Sequence, residues 1–252
     1  MNSVISIVTP VHRESVKYLP DAYASLRAQE LPEGWSWEWC IQEDGHEVHA
    51  SSELPTDDPR IRISASRPGG PHVARTMALA RSSGAYVKTL DSDDQLTPGA
   101  LSRDIAVLEN NPEIDWTTSR VTDLLEDGST VSFELGDPAP GRLPQSSAYT
   151  FWAKHQRPQV HPATLCVRRR LVVLLGGWMA LPASGDTGLL LALDALASGW
   201  FIAEVGLLYR KHVGQITNSP AHRGGEEWEA RMSLIRERAA ALDAWASEKT
   251  PN

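Results

Sequence analysis

The sequence predicts an α/β fold built on a mostly parallel sheet flanked by helices. Two observations carry that expectation. Over the first ~95 residues, short β-rich runs alternate with stretches whose apolar residues recur at helical spacing, the pattern of βαβ units. Acidic or turn-forming residues also stand where three of those runs end, at Thr9-Pro10, at Asp44 and at Asp91-Ser92-Asp93-Asp94. Right-handed crossovers gather successive parallel strand ends on one edge of a sheet, and ligand sites in open α/β sheets lie outside those carboxyl ends.

Residues 4–9 are rich in β-branched side chains and stop at Pro10, which predicts the first strand. Residues 19–29 carry Tyr23 and Leu26 at helical spacing. Residues 35–42 alternate Trp35, Trp37 and Trp39 with Ser36 and Glu38, a second strand that runs into Glu43-Asp44-Gly45. Residues 61–63 make a short third strand, residues 73–83 a helix with Val73, Met77 and Ala80 on one face, and residues 86–90 a fourth strand ending in carboxylates. Thr97 and Pro98 read as the N-cap and first residue of the next helix, which covers 101–109 and stops at Asn110-Asn111-Pro112. Beyond it the alternation lapses. Residues 115–125 and 131–135 read as a hairpin around Glu126-Asp127-Gly128, and 137–145 as a loop. A strand is expected at 163–167, a helix at 188–197, and two short strands at 201–205 and 207–210. Residues 215–225 read as a mobile loop. Residues 226–246 read as a long amphipathic helix with Trp228, Met232, Ile235, Leu242 and Trp245 on its apolar face.

At 252 residues the chain can bury a sizeable core. Its formal charge of −8 argues against a general nucleic-acid or anionic-membrane binder. An anionic substrate would therefore need a bound cation or a local group of Arg and Lys. Cys40 and Cys166 lie far apart without metal-like partners and read as small buried strand residues, which suits a reducing cytoplasm. The N-terminal apolar run, about six residues long, is too short for a secretory signal. The most apolar region, 171–209, is broken by Gly176-Gly177, Pro182, Asp186, Asp194 and Glu204, short of the roughly 18 uninterrupted apolar residues of a membrane span. The expectation is a cytoplasmic protein with no integral membrane segment, a homodimer being left open.

Carboxylates clustered where a strand leaves a sheet suit a hard divalent cation, Mn²⁺ or Mg²⁺, carrying substrate phosphates. Read alone, the same stretch is equally an acidic solvated turn. Asp44 before Gly45 could likewise shape a turn, and Asp186 could cap the helix that follows it.

Taken in order, these motifs resemble the family 2 glycosyltransferases, over roughly residues 3–215. The opening run ending at Thr9-Pro10-Val11 resembles the strand whose end borders the nucleobase, and Glu43-Asp44-Gly45 the motif whose Asp contacts the base. Residues 67–75, with Gly69-Gly70 and Ala74-Arg75, resemble the Gly-rich loop and helix start beside the diphosphate. Asp91-Ser92-Asp93 is similar to the family's Asp-x-Asp signature, and Asp186, after Gly177-Trp178 and Ser184-Gly185, matches the position of its catalytic base. Residues 209–215, with Arg210 and His212, resemble the segment that closes over the diphosphate.

The resemblance implies a GT-A fold and a nucleotide-sugar donor (a UDP-, dTDP- or GDP-sugar). It also implies inverting transfer to an acceptor hydroxyl on a small molecule, a glycan or a peptide. Asp93, with His212 as ligand or phosphate contact, would hold the cation. Asp91 and Ser92 would sit on its ribose side, and Arg75 or Arg210 would meet the pyrophosphate. Trp178 and His161 would border the acceptor. One GT-A domain over 1–252 is expected: 1–97 for the donor, 98–215 for the acceptor, 216–252 a loop and terminal helix. His12-Arg13, Glu43, Pro71, Thr76, Pro98 and Ser184-Gly185 depart from the family's usual residues. A sugar nucleotidyltransferase and a catalytically inactive binding module are the alternatives.

Overall fold

Ile5, Ile7 and Val8 alternate between the two faces of β1 (Ser3–Val11), and all three are fully buried, as in a strand covered on both sides. The computed structural model describes residues 3–132, 136–215 and 224–249. In it, β1 runs parallel to β2 (Trp35–Asp44) and to β4 (Tyr86–Thr89), while β2 runs parallel to β3 (Ile61–Ser66). Val8 stands opposite Cys40 on one side and Thr89 on the other, so the three strands finish together on one edge.

The later strands extend the same sheet. β9 (Cys166–Arg168) pairs antiparallel with both β4 and β6 (Ile114–Leu124), and β10 (Ser198–Arg210) runs parallel to β6. β5 (Gln95–Leu96) closes the order β3-β2-β1-β4-β9-β6-β10-β5; β7 (Thr130–Val131) hangs from β6 and β8 (Gly141–Leu143) from β10.

Side-chain alternation along the strands divides the core. Ile5, Ile7, Trp37 and Trp39 pack with α1 (Leu19–Arg27) and α3 (Ala100–Asn110). Val8, Cys40 and Val87 pack with α2 (Pro71–Ala80), α5 (Arg169–Leu174) and α6 (Gly185–Leu196). Outside α6 lie α4 (Ser147–His155) and α7 (Glu226–Lys249), joined to it through Trp152, Leu191, Met232 and Ile235. Between sheet and α3, the buried Lys88 Nζ meets Asp104 Oδ2 at 2.7 Å and donates to the Thr164 carbonyl at 2.7 Å. Both cysteines are buried and free.

Several expectations are corrected. Thr97 and Pro98 do not start a helix: Gln95-Leu96 pairs with β10, the Thr97 hydroxyl donates to the Val205 carbonyl, and α3 begins after Gly99 in a left-handed conformation (φ 75°). The strand expected at 163–167 starts at Cys166 because Pro162–Thr164 is a 3-10 turn. The two strands expected at 201–210 are one, with register shifts around Val205. The expected loop 137–145 contains β8, and α4 and α5 were not foreseen. The apolar face of α7 fades after Ala239, leaving Trp245 exposed. Of the expected hairpin arm and mobile loop, residues 133–135 and 216–223 lie outside the described residues. Among the described residues no helix is long and apolar enough to cross a membrane.

Candidate active site

The acidic stretch leaves β4 in a turn closed by the Asp94 N–H donating to the Asp91 carbonyl at 3.1 Å. The Ser92 hydroxyl donates to Ser15 Oγ at 2.8 Å, fixing the turn to the segment that follows β1. Asp94 is buried, and its Oδ1 accepts the Arg210 N–H at 2.9 Å. Arg210 adds Nε to the Asp93 carbonyl at 2.8 Å and Nη2 to Asp21 Oδ2 at 2.6 Å. It thus fastens the end of β10 to the turn and to α1. Asp93 is left facing His212, with Nε2 2.8 Å from Oδ2. The His212 ring in turn lies against Tyr18, centroids 5.1 Å apart.

Arg75 rises from α2 into the middle of these acids with only 4 % of its side chain exposed. Nη2 donates to Asp91 Oδ1, and Nη1 lies 3.1 Å from Asp186 Oδ1. Asp186 is the second residue of α6, so its charge also meets the positive end of that helix. His72 Nε2 accepts the Gly185 N–H at 3.0 Å, and Thr76 Oγ1 accepts the Trp178 N–H at 3.0 Å. One face of α2 therefore holds the whole segment from Trp178 to Asp186.

Charge crowding follows from this packing. Burial and the neighbouring Asp91 push the Asp93 pKa above the ordinary carboxylate value. Burial, with Asp93 and Asp91, pushes Asp94 well above it. Burial also works against ionisation of Asp186, but the Arg75 guanidinium beside it holds that carboxyl below the usual range. Burial opposes the charge on Arg75, yet Asp186 and Asp91 together raise its pKa. The site thus has one carboxylate kept ionised and a pair of acids that repel each other.

Asp93 and His212 fit a cation as two protein ligands, since Mg²⁺ is commonly held by one or two carboxylates plus substrate phosphates and water. Asp94 Oδ2 is buried and has no hydrogen-bond partner among the described residues. Among the described residues no group of three or more His, Cys, Asp or Glu side chains is arranged around one point. Substrate phosphates and water commonly complete such a coordination shell.

The other expected residues have different surroundings. Thr9 is fully buried and its hydroxyl accepts the Trp39 indole N–H at 2.7 Å; Pro10 is buried too. Asp44 accepts the N–H groups of Gly69 at 2.6 Å and of Gly70 at 3.0 Å, shaping the loop into α2 where Gly70 has φ 85°. His161 packs on the Tyr209 ring at 4.9 Å, and burial lowers its pKa against the opposing charges of Asp91 and Asp186. Trp178 is buried, and its indole Nε1 has no hydrogen-bond partner among the described residues. Sequence reasoning missed His72, which has no motif of its own, and it took Thr76 only as a departure from a pattern.

Solved structures share this architecture. S. aureus TarS 1-349, crystallised in complex with UDP-GlcNAc, superposes with a TM-score of 0.75 at 17 % sequence identity, over 98 % of this chain and 71 % of that chain. The crystal structure of S. aureus TarS gives 0.66 at 16 % identity, over 98 % and 43 %. The fold is the GT-A fold. Residues 6–154, more than half of the chain, match the model of glycosyl transferase family 2, and the chain belongs to that family. The O-antigen biosynthesis protein RfbC of Myxococcus xanthus is 31 % identical over 116 residues, 44 % of this chain and 9 % of that protein. The uncharacterized protein y4gI of Sinorhizobium fredii is 32 % identical over 116 residues, 44 % and 12 % respectively. The chain thus matches about a tenth of the length of these curated relatives.

Proposed function

We propose that this chain is an inverting, divalent-metal-assisted glycosyltransferase that moves a sugar from a nucleotide-diphosphate sugar to an acceptor hydroxyl. One observation carries the reading: a single guanidinium, that of Arg75, holds both Asp91 of the acidic strand end and Asp186 at the start of α6. This contact supports reading the donor-side acids and a proton-accepting carboxylate as parts of one site.

In this reading Asp93 and His212 hold Mn²⁺ or Mg²⁺, which when bound supplies charge neutralisation for the leaving diphosphate. Asp91 contacts the ribose side, and Arg210 keeps the acidic turn and the end of β10 in register around the pyrophosphate. Asp186, ionised through Arg75, accepts the acceptor hydroxyl's proton as its oxygen attacks the anomeric carbon from the side opposite the nucleotide. Asp44 acts on the base side, and Trp178 and His161 border the acceptor. Residues up to 97 form the donor half and 98–215 the acceptor half. The UDP and UDP-GlcNAc in the TarS structures favour a uridine donor among the UDP, dTDP and GDP alternatives. Buried unpaired cysteines support a cytoplasmic setting.

The test is a thermal-shift screen of UDP, GDP and dTDP with and without Mn²⁺, followed by turnover of the matching nucleotide-sugars. A metal-dependent rise in Tm with one nucleotide, release of that diphosphate and an anomer inverted by NMR support the proposal. Binding without turnover across the panel would favour the inactive binding module instead.

A further inference from the structure

One side chain that meets the start of α6 belongs to a residue that the sequence does not single out. His72 is 3 % exposed, with Nε2 3.0 Å from the Gly185 amide nitrogen. Its Nδ1 lies 3.9 Å from Asp186 Oδ1 and 3.1 Å from Arg75 Nη1. The first N–H groups of a helix have no acceptor within it, and a Ser, Thr, Asp or Asn just before the helix commonly supplies one. Here Ser184 precedes α6 in a left-handed conformation (φ 63°) and makes no capping hydrogen bond, so the imidazole supplies the acceptor from another helix. Gly185 matches it in shape: a Cβ there would stand 2.5 Å from the imidazole Cγ. Arg75 Nη1 and the Gly185 amide each present a donor to one ring nitrogen, and a neutral ring accepts from only one of them; acceptance from Gly185 leaves the ring proton on Nδ1.

We propose that His72 is a positioning residue for the Asp186 base, fixing the first turn of α6 and so the angle at which the carboxylate meets the acceptor hydroxyl. The inference rests on the reading of Asp186 as base. It adds a function for the His72–Gly185 pair, which occupies a place where this chain departs from its family's usual residues. Misplacing a catalytic group by about 1 Å can lower a rate roughly 10²-fold, so a single lost contact is enough to be measured.

The contact is read first, without turnover. In protein labelled with ¹⁵N-histidine, long-range ¹H–¹⁵N correlation should show His72 protonated on Nδ1 at pH 7.5. Exchange of the Gly185 amide should be about 10-fold faster in His72→Phe, which has no acceptor, than in His72→Gln, which keeps one. Kinetics then read the role. His72→Phe should lower kcat by roughly 10–100-fold with donor KM within about 3-fold of wild type, and His72→Gln should recover most of the loss. If His72→Phe does not fold, Gly185→Ala, whose Cβ displaces the imidazole, should give the same loss of kcat at unchanged KM.

An Nε2-protonated ring, or a Gly185 amide insensitive to the substitution, overturns the contact. Equal kcat in wild type and His72→Phe, or equal impairment of the Phe and Gln variants, overturns the positioning role. If wild type itself turns over no nucleotide-sugar, the glycosyltransferase reading fails and the role with it, while the NMR result still decides the contact.

Discussion

Arg75 spans two carboxylates that lie 95 positions apart in the chain, with Nη1 3.1 Å from Asp186 and Nη2 donating to Asp91. Removing one partner of a buried ion pair costs roughly 3–5 kcal/mol, and somewhat less where, as here, the carboxylates keep about a quarter of their surface open. Arg75→Met is therefore expected to lower stability in urea by a few kcal/mol at pH 7 and to abolish transfer. Arg75→Lys, a point charge that cannot fork, should recover part of the stability and little of the rate. Wild-type kcat in the lysine variant would rule out the need for a bridge.

Asp93→Ala is expected to remove metal-dependent transfer and the Mn²⁺ enhancement of nucleotide-diphosphate binding measured by calorimetry. His212→Ala should weaken the same enhancement to a lesser degree, since it leaves the carboxylate in place. Full activity of the wild type in EDTA would overturn the metal assignment.

Asp186→Asn keeps shape and loses the proton acceptor. General base catalysis contributes roughly 10²–10⁴-fold, so kcat should fall within that range. Calorimetric binding of nucleotide diphosphate with metal should stay near wild type. Lost binding would make Asp186 a structural residue rather than the base.

Asp194, fully buried in α6, accepts the Tyr149 N–H at 2.9 Å near the start of α4. Burial outweighs that help and raises its pKa to about 6. Because the folded value lies above the unfolded one, the native state holds the proton more tightly. The contribution to stability is complete below about pH 4 and is lost as pH rises to about 6. The stability lost between those limits is roughly 3 kcal/mol. Asp194→Asn should flatten this part of the stability–pH curve and be the more stable protein above pH 6, as followed by urea denaturation from pH 4 to 8.

Lys88 and Asp104 give a prediction about folding alone. Lys88→Met strands a buried carboxylate and should cost roughly 3–5 kcal/mol, whereas Lys88→Met with Asp104→Leu should regain most of it. Additive losses in the double-mutant cycle would show that the two groups are not coupled.

The first four strands were legible in the sequence because most of them are long and locally consistent. Ile5, Ile7 and Val8, the Trp35-Trp37-Trp39 alternation and the run into Asp91 each declare themselves within a few residues. β5, β8 and α5 did not, because they are two to six residues long and exist through distant partners. Gly141–Leu143 is a strand only beside Gly199–Phe201, and Gln95-Leu96 only beside Leu207-Leu208. Thr97-Pro98 has the composition of a helix start, but its hydroxyl is taken by the Val205 carbonyl.

The same physics limits the site. Asp91 and Asp93 are marked by their spacing. That Arg75 would meet Asp186, that Asp94 would take the Arg210 amide, and that Asp44 would hold Gly69 and Gly70 are facts of long-range packing. His72 is a further case, its partner Gly185 coming 113 positions later.

The strained Ser184 ahead of Asp186 does not stand alone. Its hydroxyl accepts Nη1–H of the buried Arg231 at 2.8 Å, and Arg231 belongs to α7. This sets an order of assembly. The strand ends that carry Asp44 and Asp91 precede residue 97, and a nascent chain can pair them early. The turn that aims Asp186 gains its outer support only once α7, the last described element to leave the ribosome, has docked on α6. The strand ends that carry Asp44 and Asp91 can be in place before the turn that carries Asp186 is braced.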